Sequence, residues 1–181
     1  INNINYLNEF LYKNNILMMI KPHPIQMDLE ILNKNLSNIK ILKNEELQEK
    51  EIFLYELFNE VDALLTDYSS VYFDFLLTMK PIGFTIDDIE SYGDKRGFVV
   101  ENPLEIMPGK KITNIEELIS FISDIKENND EFYEERKAIN DLANKYKDGN
   151  STKRIVEFLG MWCVLTSVLH LEGGYNQWKK L

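Results

Sequence analysis

Short apolar runs alternate with amphipathic segments along the first half of the chain. Four runs of four to six residues, each next to a turn residue or a charge, are separated by segments with helical spacing. Such runs are typical of strands buried on both faces, as in parallel sheets covered by helices. The sequence therefore predicts an α/β fold, a Rossmann-like parallel sheet with flanking helices. The predicted strands are residues 16–20, 39–42, 63–66 and 81–86, and the predicted helices are 6–12, 27–36, 51–61 and 69–79.

The second half of the chain follows a different pattern. Residues 87–111 contain three glycines and two prolines, which indicates an irregular loop around a short strand at 97–100. Helical spacing then returns at residues 114–127, 130–146 and 150–159. Beyond Gly160 the composition changes, with two tryptophans and a Gly-Gly pair. We therefore expect one domain at residues 1–160, followed by a tail of unknown role at 161–181.

The composition excludes several classes of protein. The 181 residues fit one domain, and 30 acidic against 20 basic residues give a net charge of −10, which argues against a broad basic face for nucleic acid. The single cysteine, Cys163, excludes an internal disulfide and a cysteine zinc site, and two histidines exclude a histidine-rich metal cage. The apolar run from Met161 to Leu171 has eleven residues, whereas a membrane helix needs about 20. Because the chain begins at Ile1, we expect it to be a piece of something longer.

The first candidate site is Lys21-Pro22-His23-Pro24, directly after the first predicted strand. In open α/β sheets, ligands bind beyond the carboxyl ends of the strands. The prolines restrict the backbone around His23, and a lysine and a histidine on a rigid loop suit a phosphate group. The alternative is a strand-ending turn that carries a surface histidine.

The second candidate site is the segment TDYSSVYFD, residues 66–74, where a predicted strand ends and a predicted helix begins. Helix N-termini present free N–H groups to phosphates, and Ser69 and Ser70 add hydroxyl donors. Asp74 lies one helical turn after Ser70, where its carboxylate is suited to accept ribose hydroxyls beside a diphosphate. The alternative is that Ser69 is simply the helix N-cap.

The third candidate site is a basic loop within an acidic chain. Arg96 is suited to hold a phosphate through two hydrogen bonds. We expect Lys21, Arg96, Lys110 and Lys111 to cluster at the ligand cleft and to reverse the local field there. The alternative is a solvated loop without a ligand.

The motifs follow one another in the order K-P-H-P, T-D-Y-S-S-V-x-F-D-F, K-P-I-x-F, R-G-F, M-P-G and D-G-N-S-T-x-R-I. In this order and spacing, over roughly residues 5–160, the set strongly resembles the CDP-glycerol glycerophosphotransferase family, bacterial enzymes of teichoic acid and capsule synthesis. The resemblance implies one half of a GT-B fold, the half that binds the nucleotide donor. It also implies transfer of glycerol phosphate from CDP-glycerol, or of ribitol phosphate from CDP-ribitol, to the hydroxyl end of a growing polymer, with release of CMP.

The same resemblance assigns roles to individual residues and implies neither a metal nor a cofactor. His23 is the catalytic candidate, which contacts the donor phosphates and assists the departure of CMP. The residues assigned to the donor phosphates are Lys21, His23, Ser69, Ser70 and Arg96, and those assigned to the ribose and base are Asp74 and Ile41.

The chain also departs from the family pattern. Family members have another strand before the first helix and an upstream acceptor domain that carries the general base, so we expect this chain to bind nucleotide but to turn over poorly alone. The full-length protein is expected in the cytoplasm, peripheral to the inner face of the membrane. Two alternatives stay open, namely a GT-B glycosyltransferase or epimerase half that uses a UDP-sugar, and a non-catalytic nucleotide-binding domain.

Overall fold

The protein has a mixed α/β structure with parallel strands and flanking helices, as the sequence predicts. The computed structural model describes residues 4–22, 35–98 and 100–160. It divides into two compact units, Ile1–Ala143 and Asn144–Leu181. The predicted tail at 161–181 lies outside the described residues, and so does the predicted helix at 27–36 except for residues 35 and 36, which are not helical.

The strands in the described part of the chain all pair in parallel, in two sheets. β1 pairs with β2, while β4 lies between β3 and β5. The four strands predicted from apolar runs are confirmed, each one or two residues shorter than predicted, and β5 is an additional strand. The strands are β1 Met18–Ile20, β2 Ile39–Ile41, β3 Leu64–Thr66, β4 Ile82–Thr85 and β5 Lys110–Ile112.

Within the described residues, helices connect the strands from β2 to β5, with one 3-10 turn after α4 and another before β5. The predicted helix at 69–79 is confirmed in part, because a short α-helix is followed by the 3-10 turn Leu76–Thr78. The second 3-10 turn is Pro103–Ile106. The helices are α1 Ile4–Lys13, α2 Asn44–Glu49, α3 Leu54–Glu60, α4 Val71–Phe75, α5 Ile89–Arg96, α6 Ile115–Lys126, α7 Tyr133–Ala143 and α8 Ser151–Phe158.

The prediction of an irregular loop around a strand at 97–100 is wrong. Residues 89–96 form α5, and residues 97, 98 and 100 are not in a strand. Gly97 ends α5 with a φ of 72°, a left-handed conformation that glycine adopts without steric cost. The helix is followed by the second 3-10 turn and β5, so helix, 3-10 turn and strand together make up more than half of residues 87–111.

The first unit contains two clusters of buried apolar residues. One cluster surrounds β3 and β4 and includes Phe75 and Phe84, both fully buried. The other lies between α1, β2 and α6, with Leu11 fully buried at its centre. Because the strands within each sheet are parallel, their carboxyl ends lie along one edge of that sheet. The apolar cluster packed against each sheet holds this edge in position.

Arg136 on α7 is a buried charge that fastens this helix to the turn after α4. Its guanidinium pairs with Asp130 and donates to the carbonyl of Met79 at 3.3 Å. Met79 has a φ of 58°, so the turn is left-handed where Arg136 binds it. The paired charge therefore stabilises the junction between α4 and β4.

The motif D-G-N-S-T-x-R-I forms the start of α8 in the second unit. Arg154 donates to both carboxylate oxygens of Asp148, which holds the pKa of that carboxyl well below its usual range. The guanidinium also lies 4.0 Å from the ring centroid of Tyr146. Gly149, which follows Asp148, has a φ of 70°, so the first residues of the motif form a local turn that precedes the helix.

Candidate functional site

The loop between β3 and α4 carries the two serines predicted to bind phosphate. We call this segment, Asp67 to Ser70, the serine loop. The side chains of Ser69 and Ser70 are exposed, and neither hydroxyl has a hydrogen-bond partner among the described residues. The amide of Ser69 donates to the Asp67 carboxylate at 2.9 Å, which closes a tight local turn. The loop therefore presents two hydroxyl groups to solvent at the carboxyl end of β3.

The interpretation of Ser69 as a simple N-cap is not supported. Ser70 occupies the position before α4, and its side chain makes no capping hydrogen bond. The first helical hydrogen bonds run from Tyr72 and Phe73 to the backbone carbonyls of Ser69 and Ser70, at 3.5 and 3.1 Å. Because α4 has only five residues, its dipole is small, and the serine hydroxyls are the more important donors at this position.

Asp74 lies on α4, one turn after Ser70, and its side chain is exposed. One of its carboxylate oxygens accepts a hydrogen bond from the Tyr55 hydroxyl of α3 at 3.2 Å. The negative charge of Asp74, followed by this hydrogen bond, raises the pKa of Tyr55. Tyr55 thus orients the carboxylate predicted to contact ribose, and sequence reasoning missed this partner because 19 residues separate the two.

Lys21 and Ile41 lie together at the carboxyl edge of the other sheet. Ile20 pairs with Ile41 in the register of β1 and β2, and the amide of Leu42 donates to the Ile20 carbonyl at 2.8 Å. Lys21 follows β1 directly, is half-buried, and has its ammonium 3.5 Å from the Pro22 carbonyl. His23 lies outside the described residues, so its predicted role stays a prediction.

Arg96 is the last residue of α5, and the prediction for its side chain lies outside what the structure describes. α5 itself begins just beyond β4, the strand next to β3. The helix that carries Arg96 therefore starts at the same sheet edge as the serine loop.

Lys110 and Lys111 do not join a ligand cleft, so this expectation is wrong. Lys110 donates to Ser120 at 2.8 Å and to Asp124 at 2.6 Å, both on α6. Lys111 donates to the carbonyls of Met107 and Gly109, at 2.6 and 3.0 Å, and burial lowers its pKa. Both ammonium groups hold the segments around β5 together instead of reversing the field at the carboxyl edge.

Tyr68 of the serine loop belongs to an aromatic cluster that the sequence did not predict. The ring of Tyr68 lies 4.4 Å from that of Tyr92 and 5.5 Å from that of Phe98, measured between centroids. Tyr92 and Phe98 stack at 5.3 Å. The Tyr68 hydroxyl donates to Asp88 at 3.0 Å, just before α5. The available sequence signal was the tyrosine at the centre of the TDYSS motif.

Within the described ranges, no three histidine, cysteine, aspartate or glutamate side chains are grouped to hold a metal ion. In the same part of the chain, no helix has the length and apolar character to cross a membrane.

Comparison with known proteins identifies related sequences over most of the chain. The family described as CDP-Glycerol:Poly(glycerophosphate) glycerophosphotransferase matches residues 2–160. The teichoic acid glycerol-phosphate primase of Bacillus subtilis (strain 168) is 35% identical over 148 residues, which are 81% of this chain and 35% of the primase. The teichoic acid glycerol-phosphate transferase of Staphylococcus aureus (strain NCTC 8325 / PS 47) is 37% identical over 97 residues, 53% of this chain and 25% of the transferase. The chain thus spans about a quarter to a third of the length of these two relatives.

A solved structure shares the fold. A variant of the wall teichoic acid polymerase TagF, soaked with CDPG, matches with a TM-score of 0.54 and 24% identity. The match covers 88% of this chain and 46% of the TagF chain. It supports the α/β architecture described above.

Proposed function

Since the chain belongs to the CDP-Glycerol:Poly(glycerophosphate) glycerophosphotransferase family, we propose that it is the donor-binding part of an enzyme that transfers glycerol phosphate from CDP-glycerol to the hydroxyl end of a growing teichoic acid or capsule polymer. The fold is then a Rossmann-like domain, one half of a GT-B architecture. The similarity to less than half of the TagF chain supports this part of the proposal.

The exposed serine pair carries the proposal. Ser69 and Ser70 have hydroxyls without partners in the described structure, and they lie at the carboxyl end of a parallel strand. This is the edge at which α/β sheets bind nucleotides. Two hydroxyl donors on a short loop can approach a diphosphate closely without steric obstruction. We assign them to the diphosphate of CDP-glycerol.

The remaining site residues complete the donor site. Lys21, His23 and Arg96 supply positive charge or a proton near the phosphates, and Asp74, oriented by Tyr55, accepts hydrogen bonds from the ribose. The base then lies beside Ile41 at the edge of β2.

The proposed reaction breaks the bond between the two donor phosphates. The acceptor hydroxyl oxygen attacks the phosphorus that bears glycerol, and CMP leaves with the bridging oxygen. Such transfers depend mainly on positioning and on stabilisation of the charge that develops on the phosphate oxygens. We assign to His23 the role of protonating or hydrogen-bonding the departing CMP, and the proposal includes no metal ion and no cofactor.

The acceptor and the location belong to the same proposal. The polymer acceptor would be bound by segments of the relatives that this chain does not span, since it covers 35% of the primase. A lipid-linked acceptor would place the full-length protein in the cytoplasm, at the inner face of the membrane.

Calorimetric titration of the chain tests the proposal. CDP-glycerol, CDP-ribitol, CMP and UDP-glucose are titrated separately, with and without a chelator. We expect binding selective for the cytidine diphosphate polyols and unaffected by the chelator. Because each serine would donate to a charged phosphate, replacing both with alanine should weaken binding by about 100-fold.

A matched control separates a local effect from a general one. Ser151→Ala changes an exposed serine at the start of α8 and should leave the affinity unchanged. Preference for UDP-glucose would replace the donor assignment with a sugar nucleotide. Failure of the folded chain to bind any of the four nucleotides would contradict a donor-binding domain.

A further inference from the structure

Tyr68 is the one residue of the serine loop that packs into the protein. Its neighbours Asp67, Ser69 and Ser70 are exposed, whereas the Tyr68 side chain is half-buried against the apolar cluster around β3 and β4. A side chain that faces inward between outward-facing ones fixes the direction in which the others point. This makes Tyr68 the natural anchor of the loop.

The anchor is attached to α5 and to the residues on either side of it. The Tyr68 hydroxyl donates to Asp88 at 3.0 Å, and the ring contacts Tyr92 and Phe98. Asp88 occupies the N-cap position of α5 but makes no capping hydrogen bond there. Its carboxylate is used by Tyr68 instead, across 20 residues of sequence.

The other hydrogen bonds of the serine loop within the described residues are local. Asp67 accepts from the Ser69 amide, and the carbonyls of Ser69 and Ser70 accept from the first turn of α4. These bonds shape the loop but do not fix it relative to the neighbouring strand. The contacts of Tyr68 with Asp88 and the two rings supply that connection.

We propose that Tyr68 is a positioning residue, which fixes the serine loop against the start of α5 and so holds the Ser69 and Ser70 hydroxyls in the conformation that binds the donor diphosphate. This inference rests on the proposed function. It also couples the serine loop to α5, the helix whose last residue is Arg96.

The physical basis is preorganisation. Hydroxyls that are already oriented lose less conformational entropy when a phosphate binds. Burial, followed by the hydrogen bond to Asp88, raises the pKa of Tyr68, so its hydroxyl remains a donor at neutral pH.

A set of variants at the two ends of the hydrogen bond tests the inference. Tyr68→Phe keeps the ring and removes the bond, and Asp88→Ala removes the acceptor. Asp88→Asn keeps an acceptor oxygen and an equally good N-cap residue, so it serves as the conservative rescue. Calorimetry measures the dissociation constant of CDP-glycerol for each chain, and thermal unfolding measures the stability.

We expect Tyr68→Phe and Asp88→Ala each to weaken binding by roughly five- to tenfold, as one lost hydrogen bond allows. The double variant should bind no more weakly than either single variant, because both remove the same contact. Asp88→Asn should bind within twofold of the unmodified chain. Tyr12→Phe, which changes an exposed tyrosine on α1, is the control and should have no effect.

The outcomes separate this inference from the proposed function. If the unmodified chain binds CDP-glycerol and Tyr68→Phe binds it equally well, the positioning role is overturned while the proposed function stands. The same holds if affinity falls only in proportion to the loss of folded protein. If the unmodified chain does not bind CDP-glycerol, the proposed function fails and the positioning role fails with it.

Discussion

At the residue scale, Gly109 of the M-P-G motif is required by close packing of the backbone. A Cβ atom at this position would lie 2.0 Å from the backbone carbonyl oxygen of Ile82 on β4. Backbone of a central strand cannot move aside as a flexible side chain can, so Gly109→Ala should destabilise the protein by roughly 4 kcal/mol or more. Chemical denaturation measures this change.

Gly97→Ala is the matched comparison for that prediction. Gly97 has a φ of 72°, but a Cβ there would meet nothing within 4 Å. Its substitution should therefore cost only the conformational penalty of a backbone with a φ of 72° and a ψ of 168°, about 1–3 kcal/mol. Equal losses for the two variants would contradict the steric explanation of the M-P-G motif.

Single residues show both the reach and the limit of the sequence. The serine hydroxyls were predicted to face a ligand, and they are exposed without partners in the described chain. Lys110 and Lys111 were predicted at the cleft from their charge alone, but each binds atoms near β5. A charge pattern does not reveal which carbonyl or carboxylate a lysine will reach, because that partner is set by the fold.

At the element scale, Lys80 of the K-P-I-x-F motif stabilises the end of α3. Its ammonium donates to the carbonyls of Phe58, Asn59 and Val61, at 3.1, 2.7 and 2.7 Å. These are carbonyls at and beyond the helix C-terminus, where positive charge is favourable. Lys80→Met should reduce the free energy of unfolding by about 1–3 kcal/mol, since charge-assisted hydrogen bonds are lost.

The same variant distinguishes a structural lysine from a ligand-binding one. Lys50→Met changes an exposed lysine at the end of α2 and should leave stability within about 0.5 kcal/mol. Below its melting temperature, Lys80→Met should bind CDP-glycerol as the unmodified chain does. Weakened donor binding without a loss of stability would show that Lys80 binds the ligand and does not stabilise α3.

The elements themselves were predictable where their signal is local. Apolar runs bounded by turns predicted β1 to β4, although of these four strands only β4 is buried along most of its length. α5 was missed because Gly93 and Gly97 suggested a loop. In the structure a Cβ at Gly93 would be 3.3 Å from the Phe98 ring, so a small residue is suited to a helix that an aromatic side chain covers.

At the scale of the whole molecule, contacts between distant segments escape sequence analysis. The hydrogen bond from Tyr68 to Asp88 and that from Tyr55 to Asp74 each join residues about 20 positions apart. Neither pair belongs to a single helix or strand, so the periodicity of apolar residues in the sequence does not predict these hydrogen bonds. The sequence could therefore supply the site's chemical groups but not the side chains that orient them.

The share of its relatives that the chain spans leads to the last prediction. It aligns with 35% of the primase length, and the proposed attack on the donor requires an acceptor and a base to deprotonate its hydroxyl. We therefore expect the chain alone to bind CDP-glycerol while releasing CMP at a rate at least about 1,000-fold below that of a full-length relative, since general base catalysis and acceptor positioning are both lost.

The difference is measured by incubating each protein with CDP-glycerol and a soluble polymer acceptor and quantifying the released CMP by chromatography. A full-length relative carrying alanines at the two matching serine positions is the control, because it should lose donor binding as well as transfer. Rapid transfer by the chain alone would show that the groups which activate the acceptor lie within these 181 residues.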